Sequence, residues 1–368
     1  MDYKNKYIKY KTKYLKLKDI DLNNQYGDGN DNYKIIKKID VNNKIGGRKK
    51  LKYKKIKKNN NNNNNKINIS MDSIFDLEGF QSIIISKNNK TIFEYGNTQY
   101  NCGYLASCRK SILAILYGLY PIDINKTLEE LKINDKLGLS DIEKTATIKD
   151  LLMAKSGIYH PASNEGDDKN KPERHSKKPG EYFTYNNWDF NALGTIFKQE
   201  TGINIYDALD NLGKQIGFED FDLEYNKKKY NERMNENTAS IHPPYHMYIS
   251  ARDMLKIGYL MLNQGKYSHK QVVPKKWIEE ITKLHTTKKE RNNENLGYGY
   301  MWWVFDVDKE HPLYKAFSAS GNGGQSIAII PKYNMVIVTK NYLPKMDLLK
   351  KNFFVLISSN KVFCFCWL

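Results

Sequence analysis

Residues 105–120 read LASCRKSILAILYGLY, and the whole chain is best read outward from them. Apolar residues recur along this stretch with a helical period, which predicts a buried helix with Ser107 and Lys110 at its start. Three-residue spacing puts those two side chains on one helical face, where an amine can reach a hydroxyl. A serine hydroxyl is a poor nucleophile at neutral pH. A lysine that takes its proton activates it, and a helix N-terminus favours the negative charge that develops. The pair alone is not distinctive in a chain with 59 Lys and Arg, and Ser358 and Lys361 share its spacing.

Two further elements lift it above chance. Tyr-x-Asn occurs at Tyr3/Asn5, Tyr95/Asn97 and Tyr185/Asn187, and only the last follows Ser107 with room for a helical insertion. Its phenol can shuttle a proton between nucleophile and leaving group, and the Asn187 amide can both donate to and accept from a substrate amide. The other is the small, glycine-rich run 319–325, ASGNGGQ, which leads into QSIAIIP. Small residues there let a substrate lie along a strand edge, and a backbone N–H could form an oxyanion hole with the N–H of Ser107. Taken alone, a tight turn explains this run equally well.

Around these motifs the texture changes twice. FQSIIISKN, Asn88-Asn89 and KTIFEYGN predict a β-hairpin. From about 120 to 290 the pattern is helical, in IKDLLMAK, FNALGTIFKQETG, YDALDNLGKQIG, ISARDMLKIGYLMLNQG and PKKWIEEITKL. Strand texture returns in YGYMWWVF, QSIAIIP and MVIVTKNY. Strands at both ends with helices between predict one sheet built from distant segments, about 72–106 and 290–345, and a helical part over about 107–289.

In this order the elements resemble the penicillin-recognising serine hydrolases, the family of class C β-lactamases, DD-peptidases and related esterases. The resemblance spans roughly 72–345 and includes IKDLLMAKSGIYH and PGEYFTYNNWDFNALGTIFKQETG. YNNWDFNALG, YHMYISARDMLKIG and SGNGGQSIAIIP are most similar to the 6-aminohexanoate-dimer hydrolase branch. It implies an α/β (α+β) β-lactamase/transpeptidase-like fold, a central antiparallel sheet flanked by helices with an all-α subdomain. It also implies Ser107 as acylated nucleophile, Lys110 as general base and Tyr185 as proton relay. Asn187 would orient substrate, and the amides of Ser107 and Asn322, beside Ser320 and Gly321, would hold the oxyanion. No metal or organic cofactor is implied. Where relatives carry Lys-Thr-Gly or His-Thr-Gly, this chain has Ala319-Ser320-Gly321. The missing cation weakens recognition of a substrate carboxylate and favours ester or amide substrates over β-lactams.

Other residues read more plainly. His160, His242 and His246 show no metal-ligand spacing. His246 and Tyr245 are candidates for the pocket wall, although packing roles are the plainer reading. Trp188, Trp302 and Trp303 read as core or pocket wall, and Cys108 should point away from the catalytic face. The charged stretch 164–178 reads as a solvated loop near the mouth of the site.

The chain of 368 residues carries a net charge of +18, which first suggests nucleic acid. Residues 1–70 hold 20 Lys and Arg against 6 Asp and Glu, leaving 39 against 35 for the remainder, so the basicity belongs to a tail. Residues 1–66, ending in polyasparagine, are expected to be a disordered low-complexity extension ahead of a hydrolase domain at 67–368. Residues 1–58 interleave Lys and Tyr as a nucleic-acid or other polyanion contact would. This Asn/Lys/Tyr/Ile-rich style is similar to that of giant DNA virus proteins, implying an infected cell or a virion. No signal-peptide h-region and no apolar run of transmembrane length occurs, so an intracellular location is expected. Two alternatives to a hydrolase stay open: an idle or slowly deacylating penicillin-binding-like protein that holds peptide or cell-wall fragments, and a protein acting through its basic tail.

Overall fold

The structure, a computed structural model, describes residues 68–69, 80–101, 103–164, 171–234, 239–293, 295–341, 355–358 and 361–364. Its elements in chain order are β1 (Asn68–Ile69), β2 (Phe80–Lys87), β3 (Lys90–Gly96), α1 (Cys108–Tyr117), α2 (Asp141–Lys144), α3 (Ile148–Leu152), α4 (Asn187–Thr201), α5 (Ile205–Ile216), α6 (Leu223–Met234) and α7 (Ala251–Leu262). Then follow β4 (Lys266–Tyr267), β5 (Lys270–Gln271), α8 (Lys275–Ile281), β6 (Leu296–Tyr298), β7 (Trp303–Phe305), β8 (Phe317–Gly321), β9 (Gln325–Ile330), β10 (Met335–Asn341), β11 (Val355–Ser358) and β12 (Lys361–Cys364).

Seven strands make one antiparallel sheet in the order β3-β2-β10-β9-β8-β7-β6, so β2 and β10, from opposite ends of the domain, lie side by side. Asn88 and Asn89 close the β2–β3 hairpin with φ of 53° and 58°, the left-handed pair that a tight two-residue hairpin turn requires. The central strands are apolar on both faces. Ile84, Ile327, Ile329, Val336 and Val338 meet the helices, while Ile83, Ile85, Ile330, Met335 and Ile337 form a second cluster. Burial on both faces explains a continuous Ile83–Ile85 run where a half-exposed strand would alternate.

Helix α7 packs across β10, β9 and β2, and Gly258 permits the approach, since a Cβ there would stand 2.4 Å from Val336 Cγ1. Helix α1 is buried over all ten residues, between β8 and β9 on one side and α4, α5 and α8 on another. The expected sheet with an inserted helical subdomain is therefore the observed architecture.

Three local expectations differ from the structure. The strand texture in YGYMWWVF is interrupted: Met301 sits at φ 57°, its N–H donates to the carbonyl of Leu152, and β6 and β7 pair as a hairpin around it. Helix α6, LEYNKKKYNERM, was hidden by its polar composition. The loop 164–178 is not solvated throughout, because Arg174 donates twice to Glu143, a carboxylate that is itself buried. The expected tail at 1–66 lies outside the described residues. No helix among the described residues is long and apolar enough to cross a membrane.

Candidate active site

Ser107 is the N-cap residue of α1. Ala106 before it sits at φ 50°, a left-handed conformation costing a non-glycine residue about 1 kcal/mol or more, of the kind that collects at working sites. One turn into the helix, Lys110 Nζ lies 3.1 Å from Ser107 Oγ. It also donates to the Tyr185 hydroxyl at 2.5 Å and to Asn187 Oδ1 at 2.6 Å. Lys110 further stands over the rings of Tyr185 and Phe190, 4.2 and 4.5 Å from their centroids. Four of the expected residues therefore meet at one ammonium. Asn187 was expected to face substrate, and its oxygen is in contact with the lysine.

Tyr185 and Asn187 flank Asn186, the N-cap of α4. The turn is held from behind by Asp189, whose Oδ1 accepts from Asn186 Nδ2 at 2.8 Å and from Ser156 Oγ at 2.6 Å. Asn186 Nδ2 also donates to the carbonyl of Ile158 at 2.6 Å. The segment Lys155–Ile158 thus acts as a buttress for the Tyr-x-Asn turn, a role its sequence did not disclose. Burial pushes the Tyr185 phenol up, and the Ser107 hydroxyl and the Arg109 charge only partly oppose this. At neutral pH it keeps its proton.

The third element closes the site from the sheet. Ala319, Ser320 and Gly321 form the end of β8, and Asn322 opens the turn after it. The pairing recorded with β7 stops at Ser318, opposite Trp303, so the last residues of β8 present an open edge beside Ser107. Gly321 is pressed against the backbone of Leu105 and Ser107. A Cβ there would lie 2.6 Å from the carbonyl oxygen of Leu105 and 2.9 Å from the amide nitrogen of Ser107. Ala319 is fully buried on the helix side, and the Ser320 hydroxyl lies 3.4 Å from that of Ser318.

Trp303 stacks on Tyr185 with centroids 5.6 Å apart and planes 14° apart, and the Arg291 guanidinium lies 4.4 Å from the Trp303 centroid. Trp303 is partly buried beside Tyr185, whereas Trp302 and Trp188 are core. Cys108 Sγ points at the carbonyl of Gln325, 3.4 Å away, and burial pushes its thiol up, so it lies off the catalytic face. His160, His242 and His246 are all buried, and His242 has its ring nitrogens 3.0 Å from Thr195 Oγ1 and from the carbonyl of Asn134. Among the Tyr-x-Asn repeats, Tyr95 is exposed on the edge strand β3. Ser358 and Lys361 pair across the β11–β12 hairpin, so their Ser-x-x-Lys spacing is not helical.

Proteins of other organisms are similar to this chain. An uncharacterized protein of Alkalihalophilus pseudofirmus is 24% identical over 308 residues, covering 74% of this chain and 86% of that protein. A structure described as a 6-aminohexanoate-dimer hydrolase from Bacillus anthracis superposes with a TM-score of 0.52 at 21% identity, over 73% of this chain and 75% of that one. A structure described as a β-lactamase from Bacteroides dorei gives 0.55 at 16% identity, over 75% and 91%. The beta-lactamase family profile matches residues 104–345, which take in Ser107, Lys110, Tyr185, Asn187 and the end of β8, and the chain belongs to that family.

Proposed function

We propose that this protein is a serine hydrolase that transfers an acyl group to water through an ester on Ser107, with esters or amides as its substrates. The observation that carries the reading is the convergence of Ser107, Tyr185 and Asn187 on Lys110 Nζ within 3.1 Å. As an ammonium, Lys110 donates to all three oxygens. Once neutral, it can accept the Ser107 proton while Oγ attacks the substrate carbonyl, and the proton passes through the Tyr185 hydroxyl to the leaving oxygen or nitrogen. Because burial holds Tyr185 in its neutral form, the base in this scheme is the lysine and the phenol is the relay. The amide of Ser107 and the amide of Asn322, either side of Gly321, are the proposed oxyanion donors. Water then repeats the attack on the acyl carbon, with the proton flow reversed.

Ala319 supports esters and amides over β-lactams, since a buried methyl at that position supplies no cation for a substrate carboxylate. Hydrolysis of a panel of short esters, linear amides and a β-lactam tests the reading. We expect turnover on esters or amides that Ser107→Ala lowers by about 10³-fold or more. Equal rates in wild type and Ser107→Ala would overturn it.

A further inference from the structure

Asn186, the middle residue of the Tyr-x-Asn turn, is extended, with φ −122° and ψ 109°. In extended backbone successive side chains alternate between faces. Tyr185 and Asn187 accordingly both reach Lys110, while the Asn186 side chain turns the other way. Its amide is fully buried there and uses both ends. Nδ2 donates to the Ile158 carbonyl at 2.6 Å and to Asp189 Oδ1 at 2.8 Å, and Oδ1 accepts from the Trp188 N–H at 3.3 Å as the N-cap of α4. Asp189 Oδ1 also accepts from Ser156 Oγ at 2.6 Å, and Ser156 Oγ accepts from the Ile158 N–H at 3.0 Å. Two backbone bonds lace the same strips together, from Thr184 N–H to the Ala154 carbonyl at 3.1 Å and from Gly180 N–H to the Lys155 carbonyl at 2.8 Å. Asp189 and Ser156 are 1% and 2% exposed. Burying these polar side chains has a desolvation cost that an apolar contact would avoid, and what they provide instead is a fixed direction.

We propose that Asn186 and Asp189 are positioning residues for acyl transfer, whose buried hydrogen bond fixes the turn so that the Tyr185 hydroxyl stands at Lys110 Nζ. This rests on the hydrolase reading above and assigns the pair to one step of it, delivery of the proton to the leaving group. Ser107 and Lys110 are carried by the start of α1 and meet at 3.1 Å through helical spacing alone. Tyr185 has no such support from α1, and its place is set by the turn. Loosening the turn therefore spares activation of the nucleophile and impairs the relay.

The test compares kcat/KM, which follows acylation, on a nitrophenyl ester and an anilide of one acyl group, since only the anilide nitrogen needs a proton to leave. Asn186→Ser keeps an oxygen that caps α4 but removes the Nδ2 donor. Asp189→Asn keeps the shape and replaces the carboxylate with a neutral acceptor. We expect each to lower the anilide-to-ester ratio by about 10-fold, and to change it no further when combined with Tyr185→Phe, in which the relay is already lost. A simple loss of folded protein lowers both substrates alike and leaves the ratio unmoved. Should Asp189→Asn fail to fold, Asn186→Ser, with its helix cap intact, decides by itself. An unchanged ratio in Asn186→Ser, or a 10-fold fall that persists in the Tyr185→Phe background, would overturn the positioning role alone. A wild type that hydrolyses neither substrate would overturn the hydrolase reading and this role with it.

Discussion

At the scale of single residues, the site is a lysine that three oxygens compete for. Lys110 is 2% exposed, so its contacts are made away from bulk water and are not traded for hydration. Removing it by Lys110→Met should lower acylation of Ser107 by about 10²- to 10⁴-fold, read as the rate of adduct formation. Tyr185→Phe should behave differently, because in the proposed scheme the phenol hands a proton to the leaving group. A nitrophenolate ester leaves without that proton and an anilide does not. The variant should therefore lose about 10²-fold on the anilide and far less on the ester, and equal losses would exclude the relay role. Ser107, Lys110, Tyr185 and Asn187 were legible in the sequence because helical spacing and the local Tyr-x-Asn turn fix their geometry over a few residues. The burial of Arg109 was not legible: between a serine and a lysine in a Lys-rich chain one more basic residue reads as filler, and its burial is decided by α4 and the segment carrying Tyr245, far away in sequence.

At the scale of elements, the proposed reaction depends on how closely the end of β8 approaches the start of α1. Gly321 sets that distance. Gly321→Ala would put a methyl against two backbone atoms that cannot rotate away, the Leu105 oxygen at 2.6 Å and the Ser107 nitrogen at 2.9 Å. We expect it to cost about 1–3 kcal/mol in urea unfolding and to lower activity further than that loss of folded protein explains, since it displaces the Ser107 amide, a proposed oxyanion donor. Wild-type activity in Gly321→Ala would show that the strand and the helix are not rigidly coupled. The sequence marked this region as small and glycine-rich but left a turn and a strand equally open. Both are present, with the strand ending at Gly321 and the turn following. The break within YGYMWWVF was not legible because it comes from contacts outside it. Ser111 Oγ donates to the Met301 carbonyl at 2.5 Å, and Trp302 Nε1 donates to the Ser111 carbonyl at 3.1 Å, pinning the β6–β7 turn onto α1.

At the scale of the whole molecule, the strand–helix–strand order was readable because hydrophobic period survives averaging over long segments, whereas the buried polar contacts beneath the site leave no such trace. His160 is the clearest of these. It is 1% exposed between Asp135 and Glu143, and burial holds its imidazole below the usual range despite both carboxylates. Burial lowers His242 and His285 as well. The fold thus keeps three imidazoles neutral that an unfolded chain would protonate below about pH 6.5. Asp135 and Glu143 are held low by their hydrogen bonds, against the effect of burial, and lose that contribution at still lower pH; Asp253, raised by burial, opposes this in part. The thermal midpoint should therefore fall as pH drops from about 7 to about 5, and fall less in His160→Gln; a midpoint that stays level over that window would show that these imidazoles do charge within the fold.

The central claim is that Ser107 is the nucleophile and Lys110 its base, and one measurement addresses it directly. Wild type, Ser107→Ala and Lys110→Met are each exposed to a fluorophosphonate, and the mass of the intact protein and of its peptides is determined. We predict a single adduct on the peptide carrying Ser107 in wild type, none in Ser107→Ala, and one that forms about 10²-fold or more slowly in Lys110→Met. An adduct of equal yield in Ser107→Ala, or one placed on a peptide elsewhere in the chain, would contradict the account.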